Sequence, residues 1–332
     1  MQTCRKRFGS GVRHGVCRGR SAVGLSLLVP AALMFGAPPV LAHAGGAAPV
    51  PADFWIMWPV QPSVLVPVAL AAILYARGVM LAWSRAGPGR GVGTWHAASF
   101  AAGLLALVAA LVWPLDAWGE SLFSAHMAQH ITLMGLASPL LVLGRPIATI
   151  MRALPRSWQR RLAALARTAV WRRGYNLLTA TGVATALMLG VFLFWHAPPA
   201  LAVALDDDPV HAVMHGSIIA AALAFWTMIA RVRDRGFGVR IVALFVCFKF
   251  SLILGALLTF SGRALYPAYG SRPDAWGLTL VEDQQLAGVL MMTAAAMMYL
   301  VAALVVAAAW FASMDRTQAA CNTVAAANGA GS

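Results

Sequence analysis

The chain has 332 residues, of which 60% are hydrophobic and only 11% are charged. A soluble globular protein carries about a quarter charged residues, so this composition excludes a water-exposed surface over most of the chain. The formal net charge is +14, but nearly all basic residues are arginines in the leader and in short loops, which indicates membrane topology and argues against a nucleic-acid partner.

The N-terminal segment, residues 1–44, has the pattern of a secretory leader. It begins with basic residues, continues with an apolar run over 21–35, and has small residues around Ala42 and Ala44. This order is typical of a cleavable signal peptide, although an uncleaved anchor helix fits the same residues. Under either interpretation, the short segment 45–62 lies outside the cytoplasm.

Seven apolar segments follow, and most are long enough to cross a bilayer as a helix. They predict an all-α fold, a polytopic bundle of about seven transmembrane helices in residues 63–311, with a flexible cytoplasmic tail in residues 312–332. The predicted spans run from about Ser63 to Trp83, Trp95 to Trp113, His126 to Leu143, Leu178 to Trp195, His211 to Ala230, Ile241 to Phe260 and Gln285 to Phe311.

The loops between these segments alternate in charge. Arginines follow the first, third and fifth spans, whereas acidic residues follow the second and fourth. Under the positive-inside rule the arginine-rich loops are cytoplasmic, which places the N-terminus outside and the C-terminus inside. The arginine-rich segment from Arg152 to Tyr175 is either an amphipathic helix that meets anionic lipid headgroups or an ordinary basic loop.

Five histidines fall at the outer ends of three predicted spans. They are His126, His130, His196, His211 and His215, and three methionines lie close to them in sequence, Met127, Met134 and Met214. Two of the histidine pairs have i, i+4 spacing, which places both imidazoles on one helix face. Imidazole binds copper, zinc, iron and nickel, and thioether adds a preference for Cu(I). A single interfacial histidine is often a headgroup contact or a hydrogen-bonded helix end, but two such pairs on one side of a bundle favour a metal site.

Other polar residues in the spans are few. Asp283 and Gln284 open the seventh span, where the carboxylate would either orient a ligand imidazole or cap its own helix. Lys249 lies near mid-membrane with no acid at a comparable depth, and His96, at the cytoplasmic end of its span, is interpreted as structural. The four cysteines have no metal or haem-attachment spacing, and no nucleophile motif or phosphate-binding loop is present, so the chain is predicted not to be an enzyme.

Several sequence blocks resemble one family. SxHMxQH before SPLLVLGRP, FWHAPP, HxxxH before FW, and LYPAY before DQQLAG occur in that order between about Trp55 and Phe311. They resemble the seven-span CtaG-type cytochrome c oxidase assembly factor family, which is associated with caa-type haem–copper oxidases.

The resemblance implies a role in maturing cytochrome c oxidase by helping copper, as Cu(I), to reach it. The implied partners are oxidase subunits and a copper chaperone, and the implied location is the bacterial inner membrane with the histidines on the periplasmic side. The family's motif residues correspond here to His126, His130, His196, His211, His215, Asp283 and Gln284, with Met127 and Met214 as supporting residues.

Two other functions fit parts of the sequence. A b-type haem electron carrier would use paired histidines, but a path across the membrane needs a second pair near the opposite side, where only His96 lies. A transporter of copper or another small solute would need polar residues along a path, whereas the spans below His130 and His215 are almost wholly apolar. Both stay open as alternatives to oxidase assembly.

Overall fold

The computed structural model describes residues 49–52, 55, 61–231 and 236–329. The predicted leader, residues 1–44, lies outside the described residues, as does most of the segment 45–62. The described part of the chain is helical and contains no β-strand. The predicted all-α fold is therefore confirmed.

Two π-helical segments, Thr132–Ala137 and Met291–Ala295, lie within the helical stretches. Most connections between the α-helices of the described residues are short, but residues 261–279 form a longer loop with two 3-10 helices, Pro267–Tyr269 and Arg272–Trp276. In chain order the α-helices are α1 (Pro62–Ala86), α2 (Thr94–Leu111), α3 (Leu115–Ser121), α4 (Phe123–Ile131), α5 (Ser138–Leu143), α6 (Pro146–Ala153), α7 (Arg156–Arg167), α8 (Ala169–Leu178), α9 (Thr181–Trp195), α10 (Pro198–Asp206), α11 (Asp208–Ala230), α12 (Phe237–Phe260), α13 (Leu280–Leu290) and α14 (Ala296–Gly329).

Six continuous helical stretches in the described residues are long and apolar enough to cross a membrane. They include Phe123–Leu143, which joins α4, a π-helical turn and α5, and Leu280–Arg316, which joins α13, a π-helical turn and most of α14. The fourth predicted span corresponds to α9, which reaches membrane length only together with α8, and these two helices are bent by 64°. The bundle therefore has six or seven spans, at the positions that the apolar runs predict.

The basic segment between the third and fourth spans is helical, but it forms two helices, α7 and α8, and not one. Thr168 separates them with an extended backbone, and its hydroxyl accepts a hydrogen bond from Trp171 N at 3.4 Å as an N-cap of α8. Leu178, predicted to begin the fourth span, instead ends α8. Apolar composition alone did not show this boundary, because Leu177 and Leu178 join the apolar run of the next helix and only the small residues 179–182 separate them.

The last helix extends beyond the predicted seventh span. That span is predicted to end at Phe311, whereas α14 continues as a helix to Gly329; the flexibility and location of residues 312–332 stay predictions. The tail is rich in alanine, the residue with the highest helix propensity. Local propensity therefore extends the last helix beyond the apolar run that defines the span.

The centre of the bundle is α11. Of the residues in its membrane-length segment 72% are buried, compared with 22% for α1. It packs against α9 and α5, while α4 packs against α13 and α13 packs against α12. At the last contact, a Cβ on Gly255 would lie 2.7 Å from the carbonyl oxygen of Gly288, so small residues let these two helices approach closely. This packing brings the first turns of α4, α11 and α13 and the end of α9 together.

The mid-membrane lysine lies on the outside of the bundle. Lys249 is exposed on α12, and its Nζ is 5.3 Å from the ring centroid of Phe245 and 5.9 Å from that of Phe248. Aromatic rings attract a cation through their negative faces. Two phenylalanines thus stabilise this ammonium group, where sequence analysis identified no partner.

Candidate metal centre

Three helix ends bring the five predicted histidines together. His126 and His130 lie on α4, His196 directly follows α9, and His211 and His215 lie in the first turns of α11. Within each i, i+4 pair the ring centroids are 4.5 Å apart. Between helices, four ring pairs have centroid separations of 5.6 to 5.9 Å. Each of the five rings therefore lies next to at least one other, and we call the group the histidine cluster.

The histidine cluster is largely shielded from solvent. His126 is 0% exposed and His130 is 2% exposed, and His196 and His215 are also buried. Neither ring nitrogen of His126, nor of His130, has a hydrogen-bond partner. A buried polar group left without a partner costs about 1–3 kcal/mol. These two imidazoles therefore have unused bonding capacity that a metal ion would satisfy.

Three of the histidines are close enough to share one ion. One ring nitrogen each from His126, His130 and His215 lie within 4.8 Å of one another. Since metal–imidazole bonds are about 2.0–2.1 Å long, nitrogens on one ion lie roughly 3–4 Å apart. Small rotations of the three rings would produce that spacing. The donors are neutral imidazoles, which suit a borderline or soft transition metal better than magnesium or calcium.

The ring of His196 is oriented by a hydrogen bond to the end of its own helix. Nδ1 of His196 lies 2.7 Å from the carbonyl oxygen of Phe192. A carbonyl only accepts, so this contact places the proton on Nδ1 and leaves the lone pair on Nε2. The hydrogen-bonded helix end considered for a single histidine thus occurs here, at one of the two ring nitrogens. The other nitrogen keeps the form that binds metals.

The backbone of His196 is held by a tyrosine from the loop after α12. Tyr266 Oη donates to the carbonyl oxygen of His196 at 2.6 Å, and its ring stacks on Phe123 with centroids 4.2 Å apart. Burial raises the pKa of Tyr266 to about 12. The phenol therefore remains protonated and continues to donate at any physiological pH.

Asp283 anchors the helix that carries two of the histidines. It is fully buried, and its carboxylate accepts hydrogen bonds from the backbone N–H groups of Phe123 at 2.6 Å and Ser124 at 3.1 Å. These are the first amides of α4, which have no partner within their own helix. A carboxylate at a helix N-terminus also interacts favourably with the helix dipole. Asp283 on α13 thus fixes the start of α4, immediately before His126.

This contact differs from both roles predicted for Asp283. Its observed hydrogen bonds go to backbone amides and not to an imidazole, so it acts on the histidines through the helix. It does not cap its own helix either, because Thr279 and Glu282 form a capping box there, with Glu282 accepting from Thr279 N at 2.8 Å. A cap supplied by a different helix depends on tertiary packing, and sequence analysis considered only the local one.

Gln284 holds the loop after α12. Its Oε1 accepts from Leu265 N at 2.6 Å, and its Nε2 donates to the carbonyl oxygen of Arg263 at 3.2 Å. These contacts fix the chain just before Tyr266, which in turn binds the backbone of His196. The adjacent Asp283 and Gln284 thus support the histidine cluster at two places, at α4 and at the end of α9.

Gln129 and Asp116 form a buried polar contact beside the histidine cluster that sequence analysis did not predict. Gln129, one residue before His130, is 1% exposed and donates from Nε2 to Asp116 Oδ1 at 2.8 Å and to the carbonyl oxygen of Ala110 at 2.7 Å. Gln61 donates to Asp116 Oδ2 at 2.7 Å. Asp116 was used only to infer topology. The glutamine inside HMAQH was the available signal, because an amide buried in a membrane helix requires a partner.

The other candidate residues are placed as follows. Met127 is 1% exposed and lines a small cavity next to His130 and His196. Met214 is 0% exposed on α11 and is not among the residues that line this cavity. The ring of His96, at the start of α2, contacts Trp95 with centroids 6.2 Å apart, in accordance with a structural role.

The fold and the site define a class: a polytopic membrane protein in which a buried histidine cluster is supported by polar contacts from α13. The sequence matches the family described as cytochrome c oxidase caa3 assembly factor (Caa3_CtaG) over residues 73–313. The match covers most of the chain, so the chain belongs to this family and is an assembly factor for cytochrome c oxidase. The predicted family resemblance is confirmed. No curated protein and no solved structure was found to match the chain.

Proposed function

We propose that this assembly factor holds Cu(I) in the histidine cluster on the outer side of the membrane and passes it to a subunit of cytochrome c oxidase. Copper is the cargo in this proposal and not a resident cofactor. A dedicated copper chaperone would load the site, and the oxidase would receive the ion. The chain itself has no catalytic role, and it lies in the bacterial inner membrane with the cluster on the periplasmic side.

One observation carries the proposal. His126 and His130 are buried with all four ring nitrogens lacking hydrogen-bond partners, and nitrogens of both lie within 4.8 Å of one from His215. Histidines that serve only to pack or to cap would use their N–H groups, because an unpaired buried donor is costly. Imidazoles gathered with unused lone pairs have the chemistry of metal ligands.

The cluster also has features expected of a delivery site. His211 is the one partly exposed member of the cluster, so it lies on the side from which an ion would enter or leave. The cluster holds five imidazoles, more than the roughly four donors of a tetrahedral site, so an ion can exchange one histidine for another. Ligand exchange of this kind allows transfer without a free ion.

A haem site is less compatible with this geometry. The rings of the cluster contact one another, with centroids 4.5 to 5.9 Å apart, and the adjacent cavity measures only about 20 Å³. A porphyrin between two axial histidines would need a far larger slot. A single ion fits without separating the helices.

The test is the Cu(I) affinity of the detergent-purified full-length chain under reducing conditions, measured by competition with a chromophoric chelator. Two double variants remove ligands from different helices, His126→Ala/His130→Ala and His211→Ala/His215→Ala. His96→Ala is the matched control, since that histidine lies outside the cluster. We expect tight binding in the wild type and the control, and its loss in both double variants.

Two results would overturn the proposal. Wild-type protein that binds no copper under reducing conditions would contradict the ligand assignment. Retention of wild-type affinity in both double variants would place the copper elsewhere. A parallel titration with Zn²⁺ separates a general imidazole site from one selective for Cu(I), because zinc binds the same donors.

A further inference from the structure

A small cavity lies directly against the histidine cluster, and four of its twelve lining residues are methionines. It measures about 20 Å³, and a cavity of roughly 10–15 Å³ suffices for one water molecule. We call it the thioether chamber. Its defining side chains are those of Met127, Met134, Met291, Met298, His130 and His196.

We propose that the thioether chamber is a second Cu(I) site, bound through methionine sulfur and sharing His130 with the histidine cluster. This inference rests on the proposed function only in taking copper as the cargo. It differs in location and in donor chemistry. The histidine cluster offers nitrogen alone, whereas the chamber adds four methionines, and thioether sulfur is a soft ligand that selects Cu(I) over zinc.

Methionine is a common packing residue, so the chamber needs evidence beyond its composition. The first evidence is His130, which lines the chamber, is 2% exposed, and has no hydrogen-bond partner at either ring nitrogen. A polar ring without a partner beside a cavity of ionic size indicates a ligand site. Packing alone would favour an apolar side chain at that position.

The second evidence is the backbone around the chamber. Met134 lies in one π-helical segment of the described residues and Met291 lies in the other, so both of these irregular turns contribute to the same cavity. π-helical turns are rare and frequently occur at functional sites. Their coincidence here indicates that the two helices are adapted to form this space.

Both π-helical turns are stabilised by polar side chains from their surroundings. Ser138 Oγ donates to the carbonyl oxygen of Leu133 at 2.8 Å, and Ser251 Oγ donates to that of Met291 at 3.0 Å. Trp226 Nε1 donates to the carbonyl oxygen of Met134 at 2.6 Å. Within a bilayer every backbone carbonyl needs such a partner, so these bonds maintain the widened turns around the chamber.

The position of one methionine sulfur is set by a glycine. A Cβ added to Gly135 would collide with Sδ of Met298. The absence of a side chain at Gly135 therefore leaves space for the thioether of the last helix beside the chamber wall. Any larger residue would displace that sulfur.

The charge of the lining suits a monovalent soft ion. None of the side chains that line the chamber, all in the described part of the chain, is acidic. Burying a divalent ion without a counter-charge would be far more costly than burying a monovalent one. Because the ring of His130 borders both sites and its one lone pair binds one ion at a time, Cu(I) can pass between them by exchanging His130 as a ligand. When both sites are filled, His130 binds the ion of the histidine cluster and the chamber ion keeps its methionine ligands. The chamber would then hold a second ion behind the one exposed for delivery.

The experiment compares copper stoichiometry and X-ray absorption at the copper K edge for the full-length chain in detergent, loaded anaerobically with Cu(I). The test variant is Met134→Leu/Met291→Leu/Met298→Leu, since leucine approximates the volume of methionine. The matched control is Met80→Leu/Met297→Leu/Met314→Leu, whose three methionines are 63%, 54% and 46% exposed.

We expect the wild type and the control to bind two equivalents of copper with both nitrogen and sulfur scatterers. The test variant should lose the second equivalent and the sulfur signal, while one nitrogen-bound copper remains. If the triple variant proves poorly folded by its melting temperature, Met298→Leu alone should still reduce the sulfur signal. The single variant preserves the two π-helical turns.

The outcomes separate this inference from the proposed function. One equivalent with nitrogen scatterers only in the wild type overturns the chamber and leaves the histidine cluster as the copper site. One equivalent with mixed nitrogen and sulfur shows a single shared site and also overturns a separate second site. If the test variant still binds two equivalents, the methionines are not the ligands of the second ion, and the chamber site is overturned. If the wild type binds no copper, both proposals are refuted.

Discussion

Replacing Asp283 with asparagine tests how α13 supports the histidine cluster. The carboxylate accepts from two amides of α4, at 2.6 and 3.1 Å, while fully buried. Asparagine has nearly the same shape but only one acceptor oxygen, so its NH₂ group would face one of the amides. Hydrogen bonds to a charged group contribute about 1.5–3 kcal/mol each, and N-cap residues contribute about 0.5–2 kcal/mol.

From these values we expect Asp283→Asn to weaken the anchoring of α4 by about 1–3 kcal/mol. If that free energy is expressed mainly as misplacement of His126 and His130, the Cu(I) affinity falls about 5- to 150-fold. The assay is the chelator competition used for the wild type, together with thermal unfolding of copper-free protein. The melting temperature should fall as well, because the same amides lose their partner.

Glu282→Gln is the matched control, since Glu282 is the exposed neighbour that caps α13 and makes no contact with α4 among its observed hydrogen bonds. It should lower the melting temperature slightly and leave copper affinity unchanged. Wild-type copper affinity in Asp283→Asn would refute the reasoning that α4 must be fixed for the histidines to bind. A loss of stability without loss of affinity would show that Asp283 supports the fold alone.

Three further predictions follow from other contacts. Tyr266→Phe removes the 2.6 Å bond to the carbonyl oxygen of His196 and should cost about 1 kcal/mol, seen as a Cu(I) affinity about five times lower. Since its pKa is raised to about 12 from 10 in the unfolded chain, this tyrosine stabilises the fold fully below pH 10. Stability should fall as the pH rises towards 12, and less so in the variant; equal losses would contradict the assignment. Lys249→Met should leave copper binding unchanged and raise the melting temperature in lipid nanodiscs, because a lysine at the centre of a span costs about 2.5–3.5 kcal/mol. A lower melting temperature in this variant would indicate that the protein requires the cation. For topology, the Asp206→Cys variant should react with an impermeant maleimide in intact cells, and the Arg160→Cys variant only after permeabilisation. The reverse pattern would contradict the predicted orientation.

The positions of the spans were predictable from the sequence because hydropathy is a local property. Each apolar run had to become a helix, since a bilayer leaves backbone groups no other partner. The bend between α8 and α9 was not predictable, because residues 179–182, which include Gly182, are small and do not interrupt the apolar run. The continuation of α14 to Gly329 was also not predicted, because alanine propensity prolongs the helix past the end of the apolar run.

For the candidate site, too, the sequence predicted local features and the tertiary structure was needed for the rest. The i, i+4 pairs in HMAQH and HAVMH predicted two imidazoles per helix face from helical geometry alone. Their meeting with His196, the cap that Asp283 supplies to a different helix, and the approach of Met291 and Met298 to Met134 required the tertiary structure. Contacts between residues more than a hundred positions apart depend on how the helices pack. In a membrane, helices pack through close approaches of small residues, such as Gly255 against Gly288. The sequence by itself thus determined which side chains could bind a metal, and only the packing of α4, α9, α11 and α13 decided that they share one site.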